Sequence, residues 1–337
     1  MADVVCTGEL LIDFVSTRAG VSLIEAPAFV KAPGGAPANV AVALAKLGVN
    51  SIFMGKVGND DFGRFLAKTL RDNGVDVTPL SYSDTARTML AFVSRNVEGE
   101  RDFMFYRHPS ADMLFEPAEV DRESIVHSRI LHFGSISLIS EPSRSATLHA
   151  VDLAEEQGLL VSYDPNLRLP LWPGEEEARA GILAGWRRAH LIKANFEEIV
   201  FLSGKKDLGE GVAQLWHPNL NLVVVTQGRN GCTYFTQQSQ GRIAGLRVRA
   251  IDTTGAGDGF TAGLLASVLA QSALWQDIPA LEEALRFANA VGALTTTRLG
   301  AIPALPDLRA VNRFLRRHRG SSKSLNSRNR GGRRKPS

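Results

Sequence analysis

From residue 129 onward, short apolar runs alternate with amphipathic stretches, and no other feature limits the possible folds as strongly. The runs Ile130–Ser137, Leu160–Asn166, Leu191–Asn195, Leu222–Gly228 and Gly231–Thr236 have the length and content of buried strands. Helical spacing fills the gaps, at about 143–157, 175–188, 196–204 and 208–217. Strands separated by helices predict a mostly parallel, doubly wound α/β sheet, because a parallel neighbour is reached only through a crossover. Such a sheet binds ligands beyond the carboxyl ends of its strands. Polar groups stand at those ends here: Asp164-Pro165-Asn166-Leu167-Arg168, Asn195-Phe196-Glu197-Glu198 and Thr226-Gln227-Gly228. One polar strand end means little, but several on one face point to an active site.

The segment Asp252-Thr253-Thr254-Gly255-Ala256-Gly257-Asp258 belongs to the same face. The alternation of Leu246, Val248 and Ala250 with Arg247, Arg249 and Ile251 predicts a strand before it, and the small, apolar content from Gly259 to Ala266 predicts a packed helix after it. A Gly-Ala-Gly run at the start of a helix lets the backbone approach a ligand, and the unpaired amides with the helix dipole favour an anion such as phosphate. Asp258 is a carboxylate placed where negative charge would bind. It makes a poor phosphate ligand but a suitable base for an attacking hydroxyl, which points to phosphoryl transfer to an alcohol. The plain alternative is a Gly-rich turn with a capping Asp.

Earlier in the chain, Val4–Asp13 predicts a first buried strand and its exit loop, with Asp13 as either a turn residue or a polar ligand group. Residues 15–33 are irregular, with short extended pieces such as 28–31. Gly34-Gly35 then feeds an Ala-rich helix that ends at Gly48, with Asn39 on its first turns. Exposed amides beside a side chain that both donates and accepts suit a sugar hydroxyl, although a tight turn before a packing helix explains the same residues. A strand at 51–58 and a helix from Asp60 to Asn73 follow. The alternating segments 88–96 and 102–107, joined by residues 97–101, predict a hairpin that could serve as a lid, with Arg107 brought over the site or left on the surface.

Composition narrows the function further. The 337 residues hold two cysteines, no CxxC, no HxxxH or HExxH spacing, no GxxxxGK[ST] and no Gly-rich dinucleotide fingerprint after the first strand. These absences argue against a disulfide scaffold, a metalloprotease and a P-loop enzyme, and leave His108, His132 and His190 as local hydrogen-bonders. No apolar run is long enough to span a bilayer, and the start lacks signal or transit character, so a cytoplasmic protein without membrane association is expected. Nine Lys/Arg and no Asp/Glu lie from Arg316 onward, so beneath the overall charge of +3 the rest of the chain carries −6. This tail is expected to be disordered; it is either a nucleic-acid-binding arm or a dispensable solvated extension.

Taken together, Gly34-Gly35-Ala36-Pro37-Ala38-Asn39-Val40-Ala41 and Asp252–Asp258 resemble the two signatures of the ribokinase-like (pfkB) carbohydrate kinases, and Asn195–Glu198 resembles that family's Asn-x-x-Glu motif. The resemblance covers about residues 3–315. Within the family the chain is most similar to plant-type and related bacterial fructokinases, on the segments 8–14, 105–113, 132–137 and 164–168. It implies a three-layer α/β/α core (1–14, 34–84, 108–318), a small β-sheet lid (15–33, 85–107) and the tail at 319–337. It also implies Asp258 as base and the amides of Gly255, Ala256 and Gly257 as anion hole. Asp13, Gly34, Gly35, Asn39, Arg107 and Arg168 would bind the sugar. Asn195, Thr226, Gly228, Gly231 and Asn289 would bind ATP, and Glu198 would act indirectly on Mg2+. Asp252, Thr254, Thr295, Arg298, Gly300 and Ala304 would hold a monovalent cation such as K+, several through carbonyls. ATP-dependent phosphorylation of fructose to fructose 6-phosphate is the implied reaction, with a 2-keto-3-deoxygluconate kinase or ribokinase as the alternative. A non-catalytic regulatory or nucleic-acid-associated relative is the other alternative, set against by the intact motif residues. A homodimer paired through the lid is a further implication.

Overall fold

The computed structural model describes residues 2–95 and 101–328. The chain begins with Val4–Thr7 (β1), Leu11–Ser16 (β2), Phe29–Gly34 (β3), helix Ala36–Lys46 (α1), Ser51–Gly58 (β4), helix Asp61–Asp72 (α2), Leu80–Ser83 (β5), Leu90–Arg95 (β6) and Arg101–Tyr106 (β7). The alternating part follows with Arg122–Val126 (α3), Ile130–Gly134 (β8), Ser143–Glu156 (α4), Leu160–Asp164 (β9), Glu175–Trp186 (α5), Leu191–Asn195 (β10), Phe196–Ser203 (α6) and Leu208–Leu215 (α7). Leu222–Thr226 (β11), Cys232–Phe235 (β12) and Gln240–Ile243 (β13) complete the strands, and Ala256–Ala270 (α8), Ile278–Thr295 (α9) and Leu308–Arg328 (α10) end the described chain.

The large sheet has the order β13-β12-β11-β10-β9-β8-β1-β4-β5. From β5 to β11 every pairing is parallel, and β12 and β13 add an antiparallel edge. Both faces of β1 are buried, since Val4 and Cys6 join one core and Val5 the other. Strands covered on both faces read as continuous apolar runs, which is why these segments were legible. One face packs against α1, α2, α8, α9 and the start of α10, through residues such as Leu44, Leu66, Leu264, Leu285 and Val311. The other packs against α3 to α7, through Ile125, Val151, Trp186, Ile199 and Val212. The three-layer α/β/α expectation therefore holds.

Strands β3-β2-β6-β7 form the small sheet, with β2 parallel to β6 and both hairpin pairs antiparallel. Its own core is Leu11, Met89 and Ala91, with Phe105 and Leu171 packed against them. Its reverse face carries a stacked Phe14–Phe92 pair, with Met104 and Tyr106 exposed nearby. The small sheet starts at Leu11 and ends its first hairpin at Gly34, so Leu11–Phe14 and Gly34, expected in the large core, belong to the lid. The segment 15–33, expected to be irregular, contributes strand at both its ends. Of the link expected between the hairpin strands at 97–101, residues 97–100 lie outside the described residues and Arg101 begins β7.

Two further expectations are corrected. No strand forms over 246–251; the sheet edge is taken by β13, and Ile251 and Asp252 instead donate their amides to the Thr296 carbonyl. The alternation there records half-buried Leu246 and Val248 between exposed Arg247 and Arg249, without a ladder partner. Of the tail expected to lack structure over 319–337, residues up to Arg328 continue the helix of α10, and 329–337 lie outside the described residues. Lys and Arg at a helix C-terminus complement its dipole, so the basic composition does not oppose helix there.

Helix α8 lies between α1 and α9, and glycines set its distance from α9. A Cβ on Gly263 would come 2.9 Å from Ala288 Cα, one on Gly259 2.8 Å from Thr295 Oγ1, and one on Gly292 2.9 Å from the Ala256 carbonyl oxygen. The last contact touches the first turn of α8, which carries Asp258. Gly292→Ala is therefore expected to cost about 1–3 kcal/mol in urea unfolding and to lower kcat by displacing that turn; wild-type stability and turnover would contradict this packing role.

Candidate active site

Gly255 caps α8 in a left-handed conformation, φ 75°, and its missing side chain leaves room for Ala301, which a Cβ would approach to 2.9 Å. The Ala256 amide closes the turn on the Thr253 carbonyl at 3.3 Å. The amides of Gly257 and Asp258 stand in the first turn, where an α-helix offers no carbonyl partner of its own. Asp258 is buried, and its Oδ2 accepts from Asn39 Nδ2 at 2.8 Å. Burial pushes the Asp258 carboxyl from the ordinary carboxylate range up to about 6; the Asn39 bond opposes this and the charge of Asp164 adds to it.

The sugar-side turn is built around Gly35, with φ 109°, where a Cβ would lie 2.3 Å from the Glu9 carbonyl oxygen. Glu9 Oε1 accepts the first amide of α1, that of Ala36, at 2.8 Å. Gly34 leaves room for the Asp13 carboxylate, which a Cβ would meet at 2.5 Å. Glu9, Asp13, Gly35 and Ala36 line a cavity of about 710 Å3 at the carboxyl ends of the strands, and Gly34, expected to bind there, is not among its lining residues. Asp13, Gly35, Asn39, Arg168, Asn195, Thr226, Gly228, Thr254, Gly255, Gly257 and Asp258, all expected at the site, border it, with Phe103 and Phe105 of the lid. A second cavity of about 920 Å3 adjoins it and takes in Gly231, Ala256 and Asn289. The two share Thr226, Gly228, Asn230, Thr253 and Gly257. Gly257, one residue before Asp258, thus lies where two ligands would meet.

Other expected residues stand back from the cavities. Arg107, expected over the site, is buried instead, its Nε donating to Asp112 Oδ2 at 2.9 Å and its Nη2 to the Ile136 carbonyl at 3.2 Å. Once buried, a guanidinium needs such a partner, and Asp112 supplies it. Glu198 closes a capping box with Asn195: its Oε2 accepts the Asn195 amide and its own amide donates to Asn195 Oδ1, each at 2.8 Å. Its Oε1 accepts the Leu167 amide at 2.8 Å, so Glu198 fastens the two strand-end loops together. Asp252 Oδ1 accepts from the Thr254 amide at 3.0 Å and hydroxyl at 2.7 Å, and its Oδ2 accepts the Gly300 amide at 3.0 Å. These bonds draw the loop at 252–254 to the loop at 295–304, where Thr295 and Ala304 are buried and Arg298 is exposed. Among the described residues, no three His, Cys, Asp or Glu side chains gather into a metal-binding group.

Three site residues carried no assigned role in the sequence. Lys193 lies in β10, where its ammonium donates to Asp164 Oδ2 at 2.9 Å. Burial pulls its pKa down, but the carboxylates of Asp164 and Glu198 more than reverse this, so it stays charged. A lysine inside a run buried on both faces was a legible signal. Glu9 has only its position after the first strand to mark it; burial pushes its pKa up to about 7. Asn166 borders the cavity with φ 43°, a left-handed conformation that Asn tolerates better than most residues.

A buried acid on an amide-lined helix start that borders one cavity, next to a glycine shared with a second, is the arrangement of a phosphotransferase for small-molecule alcohols. The sequence profile of the pfkB family of carbohydrate kinases matches residues 1–308. A probable fructokinase-7 of Arabidopsis thaliana is 55% identical over 315 residues, covering 93% of this chain and 92% of the relative. Fructokinase-2 of Solanum lycopersicum is 52% identical over 304 residues, 90% and 93% of the two chains. The structure is similar to the fructokinase of Xylella fastidiosa with bound ATP, with a TM-score of 0.87, 34% identity, and 94% and 98% of the two chains covered. It is also similar to a double mutant of Vibrio cholerae O395 fructokinase in a form with fructose, ADP and potassium ion, with a TM-score of 0.84, 37% identity, and 94% and 98% covered. The chain belongs to the pfkB family of carbohydrate kinases and has the ribokinase-like fold.

A carboxylate accepts a proton only when ionised, so a base at position 258, with its pKa raised by burial, would lose its active form as pH drops through about 6. The kcat/KM profile is expected to show an acid limb near that pH; a profile flat down to pH 5 would contradict the assignment.

Proposed function

We propose that this chain is an ATP-dependent fructokinase that transfers the γ-phosphoryl group of ATP to fructose, yielding fructose 6-phosphate and ADP. The observation that carries the reading is the buried Asn39–Asp258 pair on the first cavity, with Asp258 next in sequence to Gly257, which borders both cavities. Fructose occupies the first cavity, against Asp13, Gly35, Asn39 and Arg168. Asn39 uses its amide nitrogen on Asp258, and its side-chain oxygen, buried without a protein partner, is left to accept from a sugar hydroxyl. ATP occupies the second cavity, with Asn289 and Gly231 on its base side and the Gly257 amide at its transferring end.

Phosphoryl transfer asks a protein chiefly for positioning and charge stabilisation. Asp258 takes the hydroxyl proton, and the first-turn amides of α8 stabilise the group in flight. Phe103 and Phe105 of the lid help keep water from the transfer. Mg2+, when bound with the nucleotide, would supply charge neutralisation for the phosphates. Glu198 does not fit as a direct ligand, because both its oxygens accept backbone amides, and it serves by holding Asn195 and Leu167 in place. The loops at 252–254 and 295–304 fit a monovalent cation that offsets the buried Asp252 carboxylate, with the exposed Arg298 side chain directed away. A monovalent cation held there would supply positive charge beside Asp252 and help fix the turn that leads to Gly255.

A phosphorylation assay over a panel of sugars tests the reading. Fructose is expected to give the highest kcat/KM, with turnover lower when K+ is replaced by a larger organic cation. A clear preference for ribose or 2-keto-3-deoxygluconate would overturn the fructokinase assignment.

A further inference from the structure

The proposed transfer gives work to the amides of α8 and to Asp258, but none to Lys193. This side chain is only 7% exposed yet borders the first cavity. It stands in β10 among Leu191, Ile192 and Ala194, all fully buried and apolar. Its ammonium donates to Asp164 Oδ2 at 2.9 Å, and the same oxygen accepts from Thr261 Oγ1 of α8 at 3.3 Å. Among the described residues the ammonium has no second acceptor, although it carries three N–H groups. A Cβ on Gly257 would lie 2.9 Å from Lys193 Nζ. The cation therefore rests directly against Gly257, a residue that borders both cavities.

A buried ion pair adds little net stability over a well-packed apolar pair, so packing does not account for a lysine here. Position does. A fixed ammonium beside unpaired helix-start amides is where a phosphoryl group would be held from two sides, one by backbone dipoles and one by a full charge. We propose that Lys193 is a catalytic residue whose ammonium contacts the transferring phosphoryl group as it rests on the Gly257 amide. Asp164 and Thr261 are positioning residues that aim it. Gly257 lacks a side chain because the ammonium occupies that space. In the step, the bond from the γ-phosphorus to the bridging oxygen breaks and leaves ADP, and a bond to the sugar oxygen forms. The hydroxyl proton passes to Asp258, and Lys193 keeps its own proton throughout.

This inference rests on the kinase reading above, and one set of measurements separates the two. Wild type, K193M, K193R and the double variant K193M/D164N are compared with fructose and ATP. The double variant leaves no unpaired buried carboxylate at position 164, so it keeps the test valid if K193M alone is destabilised. K193M and the double variant are expected to lose about a hundredfold to a thousandfold in kcat. KM for fructose and the Kd of ADP, which lacks the transferring group, should change by less than about threefold. K193R should recover part of the rate, because it restores the charge without the same reach. A double variant with wild-type kcat, or a loss confined to KM for fructose, would overturn the role of Lys193 while leaving the kinase reading standing. A wild type that phosphorylates no sugar would overturn both.

Discussion

Asn39 Nδ2 donates to Asp258 Oδ2 across 2.8 Å, joining residues 219 apart in sequence. That bond brings the first turn of α1, which carries the Gly35 turn, to the first turn of α8, which carries the anion-binding amides. Neither segment makes a site alone. The Gly35 turn offers amides without a base, and the Gly255–Asp258 run offers a base without a place for the sugar. The glycines between α8 and α9 keep the same contact in register from the other side, because side chains there would separate α8 from α9 and shift the helix start against Asn39.

Electrostatics at the site follows from one lysine among several buried acids. Asp164, Glu198 and Asp258 all act on Lys193, and it in turn lowers the cost of keeping Glu198 and Asp258 in a poorly solvated place. Burial still raises the Asp258 pKa into the range useful to a general base near neutral pH. Arg107 and Asp112 form a second buried pair beside Glu9, which holds the α1 start by its Ala36 bond. Among the described residues, the two buried cations thus pair with different acids, Arg107 with Asp112 after the small sheet and Lys193 with Asp164 at the border of the first cavity.

Much of this was legible in the sequence for physical reasons. Strands buried on both faces, such as Leu222–Thr226, declare themselves by unbroken apolar content, and the Gly-rich helix start by its glycines. The half-buried segment 246–251 misled because one-sided burial gives the same alternation as a strand without requiring a ladder. Arg107 misled because sequence places a side chain on an element but does not reveal its partner, here Asp112. Glu198 has the expected position, but only the structure shows that both its oxygens are taken by backbone amides. Lys193 was visible as a charge in a buried strand, yet its meaning depends on Gly257, which lies 64 positions further along the chain.

The central claim is that Asp258, held by Asn39, takes the proton from the sugar hydroxyl during phosphoryl transfer. Rapid-quench single-turnover kinetics of Asp258→Asn tests it most directly, with sugar and ATP affinities measured on the same protein. Transfer is expected to slow by about a hundredfold or more, with both affinities close to wild type because Asn keeps the size and an acceptor for Asn39. Single-turnover rates near those of the wild type would contradict the account.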